Sequence, residues 1–137
     1  MRISILITAL MSSIAVSALP TTSSSTSSIC SCDTSPSVGA TIFKESNPTA
    51  CGNVASDYTT IPTGQGCIDL SNFFGSWEDH VGALVVAKGQ KCEFYTEFAC
   101  PSTNAPLCLG SKTEPIIKAT VPKTYQGKIK SAQCHKL

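Results

Sequence analysis

The eight cysteines of this chain are the residues whose chemical role the sequence indicates most clearly. They are Cys30, Cys32, Cys51, Cys67, Cys92, Cys100, Cys108 and Cys134. An even number of cysteines in a small exported protein indicates a disulfide framework, here four bonds with about 105 pairings open. We predict a bond between Cys92 and Cys100, which would close a folded hairpin, and Cys92 with Cys108 is the alternative. Zinc is disfavoured because Cys30 and Cys32 stand closer together than the ligand pairs of structural zinc sites.

Catalytic residue types are present but form no recognisable motif. The two histidines are His80 and His135, and neither lies in a serine or cysteine nucleophile motif. Asp79 and His80 would point to opposite faces of a strand. Glu78 and Asp79 could act as an acid pair only with a carboxylate across a cleft, which the sequence does not locate. The sequence therefore predicts a protein that is not an enzyme and has no cofactor.

The elements that must position these residues are short strands. Apolar, β-branched or alternating runs are separated by Gly, Pro and Asn breaks, and no run of ten residues keeps a helical period. The predicted strands are 38–44, 58–61, 67–70, 81–87, 92–98, 107–109, 116–121 and 128–134. Residues 71–77 could add one helical turn. Many short strands with frequent turns predict an all-β sandwich or Greek-key fold.

An internal repeat at a constant offset of 48 residues divides this β region. The segment 77–83 aligns with 125–131, so that Trp77 matches Tyr125 and Val81 matches Ile129. Upstream, the segments 42–45 and 94–97 are similar, each followed by a cysteine. The repeat predicts two copies of about four strands each, at about 38–86 and 87–137, in one pseudo-symmetric domain.

These segments resemble the repeats of β/γ-crystallin-type domains, including those of small secreted, cysteine-rich fungal and microbial proteins. The resemblance covers residues 38–137. It rests on the aromatic with a following acidic pair at 77–79, its counterpart at 125–127, and the aromatic-led corner that starts at Tyr95. It departs from the family at the corner, where Cys100 and Ser102 replace an aromatic and a glycine. The resemblance implies two Greek-key motifs in one β/γ-crystallin-like sandwich, stabilised here by disulfides.

The family often binds calcium in the loop before each last strand, where oxygen ligands and negative charge suit a hard cation. The matching positions here are Glu78, Asp79 and Gly82 in the first copy and Gln126 and Lys130 in the second. Only the first copy keeps an acidic pair, and Gly82 and Lys130 replace the hydroxyl ligand. We therefore expect weak or no calcium binding and no metal requirement.

The N-terminal residues resemble an export signal followed by a tail. Arg2, the apolar run 3–11 and the small residues 16–18 predict a signal peptide over 1–18, which is too short for a membrane span. Residues 19–37 are rich in Ser and Thr and predict a disordered tail, suited to O-glycosylation, that Cys30 and Cys32 pin to the domain. The protein is therefore predicted to be secreted and extracellular.

Charge is uneven, with six lysines and one acid from Lys112 onward. Lys118, Lys123, Lys128 and Lys130 could meet an anionic cell surface, or could be solvated residues that discourage aggregation. The sequence has no dense basic cluster with interspersed aromatic residues, so it does not indicate nucleic-acid binding.

The resemblance, together with the lack of a catalytic motif, implies a secreted, non-enzymatic protein that acts by surface binding, like an effector or an antimicrobial toxin. We expect it to be a monomer. Its partner would be an extracellular protein, a glycan or a cell surface. The alternatives are a protease inhibitor, a cell-wall or matrix protein, and a hydrolase with an unrecognised site.

Overall fold

A computed structural model describes residues 35, 37–47 and 57–137 of the chain. The predicted signal peptide, most of the predicted tail, and Cys30, Cys32 and Cys51 lie outside these residues. The eight strands are β1 (Val38–Phe43), β2 (Tyr58–Pro62), β3 (Ile68–Asp69), β4 (Ala83–Val86), β5 (Gln90–Tyr95), β6 (Leu107–Ser111), β7 (Ile116–Lys118) and β8 (Ser131–Lys136). A single 3-10 turn, Leu70–Asn72, follows β3. Each strand coincides with one that the sequence predicts.

The strands form two antiparallel four-stranded sheets that exchange their third strands. The first sheet has the order β2-β1-β4-β7, and the second has the order β3-β8-β5-β6. Strand β3 of the first half pairs with β8 of the second half, and β7 of the second half pairs with β4 of the first. Neither half completes its sheet alone. The fold is therefore two interlocked Greek-key motifs in one sandwich, as predicted.

Strand β4 and strand β5 are consecutive but lie in different sheets. The turn between them contains Gly89 at φ 76°, a left-handed conformation that glycine adopts at low cost. Most predicted strand ends differ from the observed ones by one to three residues, and two of these differences have a clear cause. Strand β5 ends at Tyr95 rather than Phe98 because the chain turns a corner there, and β8 begins at Ser131 because Lys128 belongs to a turn.

The turns before the last strand of each half contain the same backbone hydrogen bond. The amide of His80 donates to the carbonyl of Trp77 at 3.3 Å, and 48 residues later the amide of Lys128 donates to the carbonyl of Tyr125 at 3.1 Å. Sequence similarity at this offset therefore reflects the same backbone geometry in both halves.

The core lies between the two sheets and takes residues from both halves. It comprises Ala40, Ile42, Ile61, Leu70, Trp77, Val81, Leu84, Val86, Cys92, Phe94, Val121, Ile129, Ala132 and Cys134. In β5, Cys92 and Phe94 are buried and alternate with half-buried Lys91 and Glu93, as the period of a strand requires. This alternation leaves a polar row on the outer face of the second sheet.

Two disulfides join the described cysteines, and both correct the predicted pairing. Cys92 bonds Cys134, its direct neighbour across β5 and β8, with a Cα–Cα distance of 4.1 Å. Cys67 bonds Cys100 with a Cα–Cα distance of 5.8 Å. The prediction of Cys92 with Cys100 is wrong because Cys92 faces the core, whereas Cys100 lies beyond the corner that ends β5. The alternative, Cys92 with Cys108, is also wrong, since Cys108 is exposed and unbonded.

Among the described residues, no helix has the length and apolar character needed to cross a membrane.

Candidate functional site

The loops that precede β4 and β8 meet at a contact between the two halves. Asp79 and Gly127, 48 residues apart, share the same left-handed φ of 63°. The amide of Asp79 donates to the carbonyl of Ile129 at 3.1 Å, so the first loop is bonded directly to the second. A non-glycine residue at positive φ is uncommon, although Asp tolerates it better than most. The contact therefore fixes the backbone of both loops.

A shallow groove lies over this contact. Its volume is about 260 Å³. It is lined by Lys44, Ser46, Asp79, His80, Val81, Gly82, Gln126 and Gly127. It thus combines one ammonium, one carboxylate, one imidazole, one hydroxyl and one amide, which is a polar set of mixed charge.

The groove brings Asp79, His80 and Ser46 together, but it does not arrange them as a nucleophile and its base. The Nδ1–H of His80 donates to the carbonyl of Glu78 at 2.7 Å. The hydroxyl of Ser46 donates to the carbonyl of Gly82 at 3.3 Å. Both groups are held by backbone, and nucleophilic catalysis requires them to bond each other.

A buried serine holds the corner that follows β5. Ser131 is fully buried, its hydroxyl donates to the carbonyl of Glu97 at 2.6 Å, and it accepts the amide of Cys100 at 3.1 Å. Ala99 and Cys100 both have positive φ in this corner. The equivalent position in the first half is Ala83, so the hydroxyl serves the second corner alone.

Ser131→Ala is expected to lower the free energy of unfolding by about 1–3 kcal/mol, because a part-buried carbonyl and a part-buried amide lose their partner. Urea unfolding followed by tryptophan fluorescence measures the change. The control is Ser102→Ala, since Ser102 is exposed in the same connection. An equal effect of the two substitutions would contradict this role for Ser131.

The outer face of the second sheet carries a hydrogen-bonded network centred on Glu93. Its carboxylate accepts from Lys91 at 2.8 Å, from Gln133 at 2.7 Å and from Tyr95 at 2.9 Å. These bonds, first from Lys91 and then from Gln133, lower the pKa of Glu93 from 4.5 to about 2. The network makes Glu93 a fixed anion rather than a candidate general acid.

Stability is expected to fall in acid partly through Glu93. The folded-state pKa lies below the ordinary value, so ionised Glu93 stabilises the fold at pH above 4.5, and this stabilisation disappears as pH falls towards 2. The difference in urea midpoint between the wild type and Glu93→Gln should therefore shrink across that interval. Glu114→Gln, at an exposed position, is the control. A difference that does not vary with pH would contradict the assignment.

Known protein structures share this arrangement of strands. A betagamma-crystallin domain from Clostridium beijerinckii matches with a TM-score of 0.52 and 16% identity over 70% of this chain and 95% of that one. The fold is that of a β/γ-crystallin domain. The N-terminal domain of protein S matches with a TM-score of 0.52 and 10% identity over 72% of this chain and 97% of that one. A structure from work on the evolution of the eye lens beta-gamma-crystallin domain fold matches with a TM-score of 0.51 and 16% identity, over 74% of this chain and 90% of that one.

These identities support the shared β/γ-crystallin fold and nothing more specific. The sequence matches no protein-family model and no curated protein.

The residues at the calcium positions implied by the β/γ-crystallin resemblance do not fit a calcium site. A Cβ on Gly82 would lie 2.4 Å from the carbonyl oxygen of Lys44, so no hydroxyl side chain fits where the family supplies one. In the second half, Lys130 takes that position, and Gln126 is the only oxygen donor left of the acidic pair. Among the described residues, no three His, Cys, Asp or Glu side chains form a cluster able to hold a metal. Calcium normally takes six to eight oxygen ligands, and the side chains at these positions offer too few oxygen atoms to supply them.

One feature of the first loop would favour a cation. Within the described part of the chain, the Oε2 atom of Glu78 is buried and has no hydrogen-bond partner. A buried carboxylate oxygen without a partner is costly, and a cation would satisfy it. Glu78 does not line the groove, however, whereas the exposed Asp79 does. The two carboxylates therefore do not form one site.

The four lysines predicted for surface binding have different environments. Lys118 is half-buried in β7, and Lys123 and Lys128 are exposed in the connection to β8. The ammonium of Lys130 lies 5.3 Å from the ring centroid of Phe98. Their role in binding stays a prediction.

Two residues of the first half, one of which lines the groove, were not identified from the sequence. Phe74 is fully exposed, and Lys44 lies 5.1 Å from the ring centroid of Trp77. The sequence does not show which ring of the pair Phe73 and Phe74 is exposed. Lys44 had a signal, since it is the last residue of the predicted strand 38–44 of the repeat.

Proposed function

We propose that this chain is a secreted, non-enzymatic, cysteine-rich protein that acts by binding a partner through its surface, like an effector or an antimicrobial toxin. The predicted signal peptide over 1–18 supports export, and the two disulfides suit an oxidising compartment. The β/γ-crystallin fold is compatible with a binding domain without catalysis. Fold alone does not specify function, so the proposal rests on one surface feature.

That feature is the exposed ring of Phe74. Its own carbonyl accepts the indole N–H of Trp77 at 3.1 Å, and the next carbonyl, that of Gly75, accepts the ammonium of Lys44. Gly75 and Ser76 have left-handed φ values of 107° and 54°, which turn the chain back towards the core. The loop is thus held from beneath while its aromatic side chain faces solvent.

A preorganised aromatic side chain is well suited to binding. Aromatic anchors that fill a pocket carry a large share of the energy at protein interfaces, and little conformational entropy is lost when their backbone is already fixed. Two acidic residues with partly or fully exposed side chains lie near the loop in sequence, Asp69 and Asp79. The partner we propose is an extracellular protein with an apolar pocket and a basic rim, and the acidic flanks disfavour an anionic lipid surface.

Phe74→Ser should weaken binding by about 10- to 100-fold, the loss expected when one buried aromatic ring is removed. Binding of the labelled mature protein to target cells measures this, with the melting temperature checked for each variant. Leu137→Ser is the matched control, because Leu137 is also exposed and apolar. Unchanged binding of the Phe74 variant would reject the loop as the binding surface.

An electrostatic contribution is tested separately. This contribution is a separate contact of Lys118, Lys123, Lys128 and Lys130 with an anionic cell surface. Charge reversal of these lysines should reduce cell binding, and the reduction should be largest at low salt, where charge interactions are least screened. Binding that does not change would remove the contribution of these lysines and leave the aromatic anchor intact.

The groove keeps a hydrolase as a second candidate, because it combines Asp79, His80 and Ser46. A broad hydrolase screen of the wild type with His80→Ala as control separates the two functions. Activity that the His80 substitution abolishes would favour the enzyme over the binding protein.

A further inference from the structure

Lys44 ties together two segments of the first half. It is half-buried and follows β1 directly, and its ammonium donates to the carbonyl of Gly75. The same ammonium lies 5.1 Å from the ring centroid of Trp77, which begins the loop before β4. The charge is therefore held by a carbonyl oxygen and by the face of a buried aromatic ring.

Lys130 makes the corresponding connection in the second half, in the opposite direction. It is half-buried in the loop before β8, and its ammonium lies 5.3 Å from the ring centroid of Phe98 in the corner after β5. In the first half the lysine comes from the corner and the ring from the loop. In the second half the lysine comes from the loop and the ring from the corner.

The two lysines occupy equivalent junctions of the backbone. The amide of Lys130 donates to the carbonyl of Tyr95, the last residue of β5, at 2.8 Å. The amide of Gly82 donates to the carbonyl of Phe43, the last residue of β1, also at 2.8 Å. Each half thus joins the end of its first strand to the loop before its last strand, with an ammonium beside the junction.

We infer that the ammonium groups of Lys44 and Lys130 are built-in cations that tie each half of this domain at the junction where the family resemblance implies calcium. A mobile divalent ion needs several oxygen ligands, which Gly82, Gln126 and Lys130 do not supply. A tethered monovalent cation needs only one carbonyl or one ring, and each junction provides at least one. The two positive charges also oppose the entry of a further cation.

Thermal unfolding in excess EDTA and in millimolar calcium tests this inference. The melting temperature of the wild type is expected to be the same in both. Lys44→Met and Lys130→Met, which keep the aliphatic stem and remove the charge, should each lower the melting temperature by about 4–8 °C under both conditions. Lys44→Arg should recover most of the loss, since guanidinium also lies well over an aromatic ring.

Lys128→Met is the matched control, because Lys128 is exposed in the same loop as Lys130 and should shift the melting temperature by less than about 2 °C. A rise in the wild-type melting temperature with calcium would overturn the inference, and so would Lys44 and Lys130 variants that behave like the control. If calcium does stabilise the wild type, loss of that effect in Glu78→Gln would identify the orphaned carboxylate as its ligand.

Discussion

Replacing Cys92 and Cys134 together by alanine is expected to lower the free energy of unfolding by about 4 kcal/mol. The bond closes a loop with a sequence separation of 42 residues, and its loss gives the unfolded chain more conformational freedom. Both sulfur-bearing residues are buried in the core, so their removal also costs packing. Urea unfolding of the oxidised proteins measures the change.

Cys108→Ser is the control for the double substitution. Cys108 is exposed and outside any disulfide, so this single change should leave stability within about 0.5 kcal/mol of the wild type. A large loss in the Cys108 variant, or a negligible one in the double variant, would mean that the folded protein uses a different pairing. Disulfide mapping by mass spectrometry would then identify it.

Trp77→Ala is expected to cost about 3–5 kcal/mol, the range for truncation of a large buried aromatic side chain. Trp77 is fully buried, and its indole N–H bonds the carbonyl of Phe74. The substitution should therefore also release the loop that presents Phe74 and weaken partner binding in the fraction that still folds. Circular dichroism during urea unfolding suits this variant, because it lacks the only tryptophan.

Tyr125→Ala gives the comparison, because Tyr125 is the counterpart of Trp77 in the second half. It is only half-buried, and its hydroxyl donates to the carbonyl of Ala105 at 3.2 Å. We expect a smaller loss of about 1–3 kcal/mol and no effect on the Phe74 loop. Equal losses of stability for the two substitutions would contradict the expectation that Trp77, the more deeply buried ring, contributes more to stability than Tyr125.

The strands of this protein could be predicted because their signals are local. The β-branched run 81–87, which is followed by a turn at Lys88 and Gly89, predicts β4 without information from any other segment. The repeat added the division into halves, since one offset aligned Trp77 with Tyr125. Resemblance to a known family then supplied the Greek-key arrangement, which no local pattern contains.

The disulfide pairing could not be predicted because it depends on contacts between distant segments. Cys92 and Cys134 become neighbours only when β5 and β8 pair, and Cys67 reaches Cys100 only when β3 joins the opposite sheet. The prediction favoured Cys92 with Cys100 because they are close in sequence. Sequence proximity is a poor guide where strands are exchanged between sheets.

The groove could not be predicted from the sequence. Asp79 and Gln126, which the sequence assigned to separate calcium positions in the two copies, line one groove in the structure. The same loops did not reveal that Gly82 has no space for a side chain, or that Ser131 bonds the corner, because both facts depend on backbone approaching from another strand. Exposure of Phe74 likewise follows from the direction of one turn.

Because β3 and β7 each pair in the sheet of the other half, each half depends on the other for a complete sheet. A chain cleaved between Lys88 and Gly89 would give two fragments that each lack an outer strand and present a bare sheet edge to solvent. Each fragment is completed only by its complement, or by a second copy of itself standing in for that complement. An isolated half is therefore expected to be unstable as a monomer.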